Sequence, residues 1–326
     1  MIISKTPLRM SFVGGGSDLP SYYQRFGGAV VSTTIDQYVY ITVNKKFDNK
    51  IRLSYSITED VSSVDEIKHN LVRAALTNLN IRGGIEITSI ADIPSKGTGL
   101  GSSSSFTVGL LHALYAYNGR YRSSEHLASE SCLVEIDICK EPIGKQDQYA
   151  AAYGGLNLIR FDPDGTVSVD PIICRPETVD QIQQSIVAFY TGVTRSASGL
   201  LSRQSESMSQ SKKKQITMQK MVQLAYSLRE ELQENNADVF GEILHENWVL
   251  KKSLSQEISN SGIDHWYERA MAAGASGGKL LGAGAGGFMI FFAPRERHEA
   301  IRNALSDIRP VNFRFENSGS RIIFYQ

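Results

Sequence analysis

Apolar positions alternate along the first part of the chain. Tyr38-Val39-Tyr40-Ile41-Thr42-Val43 follows a period of two, with shorter pieces at Ile2-Ile3, Met10 to Val13, Ala29 to Ser32 and Ile51 to Tyr55. This pattern predicts strands in an antiparallel start. The period lengthens for Ile67, Leu71, Ala74 and Ala75, predicting a helix over 64–79, and Gly83-Gly84 then turns into a strand over 85–90. Phe106, Val108, Leu110, Leu111, Leu114 and Tyr115 give a mostly apolar, hence buried, helix whose first turn is serines. A helix over 125–140, closed by Pro142 and Gly144, and a short one over 147–153 precede strands at 156–161 and 167–169. The segment CRPETVDQ reads as a connection. A strand at 185–190 leads to a helix-rich stretch over 197–274, with breaks at Asn235-Asn236 and 259–262. A strand at 288–293, a helix at 295–306 and strand-like 311–315 and 321–325 close the chain. A strand-rich first half and a helix-rich second half predict an α+β protein of two domains, 1–180 and 181–326. KKK at 212–214 reads as a solvated helix face.

Composition narrows the function. Of 326 residues, 34 are basic and 34 acidic, 41% are hydrophobic and 21% charged, which excludes disorder. With no basic excess there is no electrostatic case for nucleic acid or an anionic membrane surface. The longest apolar run, Phe288 to Ala293, is far short of the roughly twenty residues a membrane-spanning helix needs. The start MIISKTPLRM has no signal-type apolar region, so a cytoplasmic location is expected. Cys132, Cys139 and Cys174 are too few for a disulfide framework and lack metal-site spacing.

Twelve of the 28 glycines cluster in three segments, 14–16, 97–101 and 277–287. KGTGLGSSSS, from Lys96 to Ser105, runs from a strand into the buried helix. Gly97, Gly99 and Gly101 let backbone approach an anion, and Ser102, Ser103 and Ser104 lie where a helix offers unpaired N–H groups. Its other reading is a serine-capped helix. It is no Walker A loop, since Lys96 precedes the glycines. Gly282-Ala283-Gly284-Ala285-Gly286-Gly287 matches G-x-G-x-x-G formally, but the glycines precede the strand instead of following it, so a dinucleotide site is rejected. This loop is either a closely packed hairpin or a closure over the phosphates, with Gly284 and Gly286 against the nucleotide. RMSFVGGGSD is either a β-turn or a sugar loop, in which Gly14, Gly15, Gly16 and Ser17 cradle a polar ligand and Asp18 accepts two hydroxyls.

Together these loops resemble the GHMP kinases, named for galactokinase, homoserine kinase, mevalonate kinase and phosphomevalonate kinase. The resemblance spans nearly the whole chain. Pro94-Ser95-Lys96-Gly97-Thr98-Gly99-Leu100-Gly101-Ser102-Ser103-Ser104 is similar to the family's P-x3-G-L-G-S-S loop, with four residues between Pro94 and Gly99 where three are commoner; Lys279 to Phe288 is similar to its C-terminal glycine motif. It implies a ribosomal-protein-S5-domain-2-like N-terminal domain, a ferredoxin-like α/β C-terminal domain, and ATP and Mg²⁺ as cofactors. TPLRMSFVGGGSDLPSYY, SSSSF, GKQDQYAAAYGG and YTGVTRSAS look most like the D-glycero-D-manno-heptose 7-phosphate kinases, which phosphorylate the anomeric O1 for nucleotide-heptose (surface polysaccharide) synthesis. A fucose- or galactose-type free-sugar 1-kinase, or a non-catalytic nucleotide-binding regulator, are the rival readings.

Carried over by position, the resemblance makes Asp147 of Gly144-Lys145-Gln146-Asp147-Gln148 the catalytic base and Arg9 the cation that holds it ionised. The plain reading of Asp147 is an N-cap. Glu135 and Ser103 become Mg²⁺ ligands, with a solvated helix glutamate as the alternative for Glu135. For the substrate's own phosphate the candidates are Arg195, following Thr191-Gly192-Val193-Thr194, and Lys145. Arg195 reads equally as a surface arginine paired with Glu206.

Overall fold

The computed structural model describes residues 1–93, 97–193, 199, 201–203, 206 and 211–326. Strand β1 (Ile2–Val13) joins the two apolar pieces at the start of the chain into one 12-residue strand, and β2 (Gly28–Lys45) does the same over 18 residues. They pair antiparallel from Ile2 opposite Val43 to Val13 opposite Val31, with the register shifting at Pro7/Leu8 and between Ser11 and Val13. Both irregularities flank Arg9 and re-aim the strand locally. Ile2 to Lys5 alternates buried and half-buried positions, but Thr6 to Val13 is buried throughout. There helix α3 (Ser102–Tyr117) covers β1, and α8 (Phe240–Leu254) also packs on it, with Phe240 edge-on to Phe12 at 5.0 Å.

The first sheet runs β13-β1-β2-β5-β3-β4, where β3 is Ile51–Ser54, β4 Thr58–Val61, β5 Ile85–Ala91 and β13 Arg321–Tyr325. Among the described residues only the β3 and β5 pair is parallel. β6 (Asn157–Phe161) continues from β2 to β7 (Val167–Pro171), and β12 (Phe315–Glu316) also adds to β2. The second sheet, β11-β8-β10-β9, is antiparallel and consists of β8 (Ile186–Tyr190), β9 (Gly277–Leu280), β10 (Phe288–Phe292) and β11 (Arg309–Val311). α7 (Lys212–Gln233), α8 and α9 (Ser261–Ala272) supply the helical part, and α8 touches both β9 and β1. One hydrophobic cluster is continuous across both halves. The α+β class holds.

Several expected boundaries move. Residues 315–325 return to the first sheet, so the chain's end crosses the division expected at 180/181; β13 pairs with the edge of β1, which would otherwise present unpaired N–H and C=O groups. CRPETVDQ is not a plain connection. It starts helix α6 (Pro176–Ser185), with Pro176 at the first turn and Thr178 and Ile182 buried one turn apart. The helix expected over 64–79 forms only as α2 (Asn70–Asn78), after a single 3₁₀ turn at Val64–Glu66. The helix expected over 125–140 is α4 (Ser124–Cys132), followed by a π-helical turn, Leu133–Ile138. At the start of α7, Lys212 and Lys213 are exposed, as expected, and Lys214 is half-buried. The segment expected to begin a helix at 197 lies largely outside the described residues.

Candidate active site

The loop over 97–101 leads straight into α3. Gly101 caps this helix in the left-handed region (φ +74°) with no side-chain bond, so the helix presents uncapped N–H groups and its positive end to one large cleft. Gly97, Thr98, Gly99, Gly101 and Ser102 to Ser104 line that cleft, a cavity of about 560 Å³. Leu100 does not. Its side chain is in the core and its carbonyl accepts the Arg9 backbone N–H at 3.0 Å, so this member of the expected nucleotide loop is an anchor. Lys96 lies outside the described residues.

The β9-to-β10 hairpin sits directly on this loop. A Cβ on Gly99 (φ +77°) would fall 2.3 Å from the Leu281 carbonyl, and one on Gly282 (φ +83°) 2.4 Å from Gly99 Cα. Only glycine permits two backbones to cross so closely. Gly282 and Ala283 face the cleft. Gly284 and Gly286, the expected contacts, instead pack against the backbones of Ile258 and Val193. The loop is the closely packed hairpin, and Gly282, not Gly284 or Gly286, is its glycine that lines the cleft.

Arg9 and Asp147 meet in the cleft. Arg9 Nε and Nη2 donate to Asp147 Oδ1 and Oδ2, each at 2.8 Å, and Nη1 donates to the Gly99 carbonyl. The Arg9 side chain is 5% exposed and that of Asp147 24%. Asp147 lies in the first turn of α5 (Gln146–Tyr153) and spends its oxygens on Arg9, not on a cap. A Cβ on Gly101 would stand 3.1 Å from Arg9 Cγ and 3.2 Å from Asp147 Oδ2, so the phosphate loop and the ion pair share one wall.

Glu135 is fully buried, which rules out the solvated-face reading. The π-helical turn carries it under α3, where it accepts bonds from Ser103 Oγ (3.2 Å), Ser104 Oγ (2.8 Å), Thr107 Oγ1 (3.0 Å) and the Gln148 amide. Burial pushes its carboxyl up to about 7, against the pull of these donors. Among the described residues no cation pairs with this carboxylate, and with the exposed Ser103 hydroxyl that joins it to the cleft it makes an all-oxygen donor set of the kind that suits Mg²⁺.

The first glycine loop forms the opposite side. Gly15, Gly16 and Asp18 line the cavity. Asp18 accepts from the Gly16 N–H (2.9 Å), the Gln146 N–H (3.3 Å) and Gln146 Nε2 (3.2 Å); burial, then Asp147, raises its carboxyl. Gly14 and Ser17 are structural instead. The Gly14 N–H donates to Asn247, and the Ser17 hydroxyl bridges both backbone groups of Ala29. Lys145 is also misplaced by the sequence reading: its ammonium donates to the Gly165 carbonyl at 2.8 Å and it does not line the cavity. Gly192 is exposed and off the cleft, and Arg195 lies outside the described residues.

Sequence reasoning missed two cations. Lys251 of α8 donates to the Gly15 carbonyl at 2.7 Å, and Lys279 of β9 donates to the carbonyls of Ser11 (2.8 Å) and Phe12 (2.7 Å). Both line the cavity while being 6% and 4% exposed. Burial lowers Lys251 to about 8 and Lys279 well below its usual range. Lys279 borders the third glycine motif, the one signal that could have singled it out. Lys251 in VLKKSL has none.

The GHMP kinases N terminal domain profile matches residues 69–155, and the GHMP kinases C terminal profile matches 228–309. The chain is 29% identical to D-glycero-alpha-D-manno-heptose 7-phosphate kinase of Campylobacter jejuni, over 92% of each chain. It is 27% identical to a galactokinase of Pyrococcus furiosus, over 93% of this chain and 92% of that one. A solved D-glycero-D-manno-heptose 1-phosphate kinase of Bacteroides thetaiotaomicron superposes with a TM-score of 0.81 at 25% identity, covering all of both chains.

Proposed function

We propose, from the premise that this chain belongs to the GHMP kinases and is an ATP-dependent kinase, that it transfers the γ-phosphate of ATP to the anomeric O1 of D-glycero-D-manno-heptose 7-phosphate. The observation that carries this reading is the Arg9–Asp147 pair, set between the uncapped α3 N-terminus and the GGGSD loop in one cavity. An acceptor hydroxyl beside Asp147 faces phosphates held by the 97–104 amides. As its oxygen attacks the γ-phosphorus, its proton passes to Asp147 and ADP leaves. Arg9 orients the carboxylate through its two bonds to Asp147, and its charge offsets that of the migrating phosphoryl group. Ser103 and Glu135 would hold Mg²⁺, which when bound neutralises triphosphate charge. Closure by Gly282 and Ala283 excludes water from the phosphates.

Both heptose kinase relatives support a phosphorylated heptose as acceptor, though they are named for different ones; the galactokinase relative supports a free sugar. The test is ATP with heptose 7-phosphate, heptose 1-phosphate, free heptose, fucose and galactose, with the product mapped by phosphorus NMR. Heptose 7-phosphate should acquire a second, anomeric phosphate. Efficient use of a free hexose overturns the sugar-phosphate reading, and no ATP consumption with any sugar overturns the catalytic one.

A further inference from the structure

The cleft holds more positive charge than phosphoryl transfer uses. Arg9 is matched by Asp147, but among the described residues neither Lys251 nor Lys279 forms an ion pair. Their hydrogen-bond partners are backbone carbonyls of Gly15, Ser11 and Phe12. Asp18, the acid that acts on Lys251, already accepts three N–H groups from Gly16 and Gln146. Buried ammonium groups without counter-ions are unfavourable unless something completes them. These two come from different elements, α8 and β9, and end in the same cavity. They repel each other and Arg9, and this mutual repulsion adds to burial in lowering the Lys279 amine. An anion entering the cavity would relieve it.

Their anchoring distinguishes which anion. The nucleotide phosphates have the uncapped start of α3 and the 97–104 amides, whereas both lysines are tied to the carbonyls of 11–15, the strand end and loop on the acceptor side.

We propose that Lys251 and Lys279 form the subsite for the acceptor's own phosphate group. The proposal rests on the sugar-phosphate reading above and gives it residues. A phosphate dianion offers enough oxygens for both ammoniums and charge for both, and each lysine keeps its carbonyl bonds with the protons it does not share.

The test compares heptose 7-phosphate with free heptose in the parent enzyme and in Lys251→Met, Lys251→Arg and Lys279→Met, measuring kcat/KM for each acceptor and KM for ATP. Each methionine variant should shrink the preference for the phosphorylated acceptor by about 30-fold or more, while KM for ATP moves less than about threefold. Lys251→Arg should restore most of the preference. Parallel losses on both acceptors would make the lysines mere props for the Gly15 loop and β1, and overturn the inference. Should Lys279→Met fail to fold, Lys251→Met against Lys251→Arg decides. A parent with no preference for the phosphorylated sugar overturns the sugar-phosphate reading itself. A parental preference that survives in Lys251→Met overturns only the lysine subsite.

Discussion

Replacing Asp147 by asparagine tests the chemistry with little change of shape. Both carboxylate oxygens accept from Arg9 at 2.8 Å. The amide keeps one acceptor and turns an NH₂ toward the guanidinium, so one charge-assisted bond is lost and Arg9, almost fully buried, is left without a counter-charge. That should cost about 1–3 kcal/mol of stability. With an unfolding entropy of about 2.1 cal/mol/K per residue, Tm should fall by roughly 1.5–4 °C, a shift a thermal melt resolves. The kinetic effect is larger. A positioned base contributes about 10²–10⁴-fold, and asparagine cannot take the proton, so kcat should drop about 10³-fold or more, equivalent to about 4 kcal/mol of barrier. ATP affinity should stay within about threefold, because the proposed binding mode gives the nucleotide phosphates the 97–104 amides and the α3 terminus instead. Turnover by ADP release, nucleotide binding by calorimetry and the melt separate the outcomes. A kcat within about tenfold of the parent, or ATP affinity falling in step with kcat, refutes the base assignment.

In metal-free protein, Glu135 with its carboxyl at about 7 binds a proton more tightly folded than unfolded, so stability should decline as pH rises from the unfolded value of 4.5 through 7, by up to about 3 kcal/mol. Glu135→Gln should flatten that slope in chelator-treated melts, and equal slopes in the two proteins would refute the assignment. Gly282→Ala should force the β9-to-β10 hairpin off the phosphate loop, raising KM for ATP by about tenfold or more through backbone strain and a 2.4 Å clash with Gly99; an unchanged KM would mean the crossing plays no part in nucleotide binding. Lys145→Ala should change kcat/KM for any acceptor by less than about threefold, since its ammonium sits on Gly165. A selective loss on a phosphorylated sugar would return Lys145 to the subsite.

The sequence by itself determined the α+β class, most strands and the parts of the site whose chemistry is local. The candidate anion loop is written within ten consecutive residues, because glycines, serines and the following helix start must be neighbours to work together. Arg9, Asp147 and Ser103 could be picked out because each sits in a motif, and Glu135 by its position on the helix before Asp147; folding brings them together as Arg9–Asp147 and Ser103–Glu135. Tertiary structure decided the rest. Gly284 and Gly286 look identical to Gly282 in a string of glycines; which one faces the cleft depends on what Gly99, Ile258 and Val193 occupy. Lys145 was suggested by nearness to Asp147 in sequence, but the side chain follows its own direction at the start of α5 and reaches Gly165. The return of 321–325 to the first sheet depends on an open edge of β1 some three hundred residues away, and strand pairing of that range leaves no local mark. Lys251 and Lys279 are the sharpest case. A lysine's spacing says only which face of a helix or strand it occupies, and its usual face is solvated. That these two are buried with carbonyl partners follows from α8 packing on both β1 and β9, and burial away from any counter-ion among the described residues is what sets them apart from ordinary surface lysines.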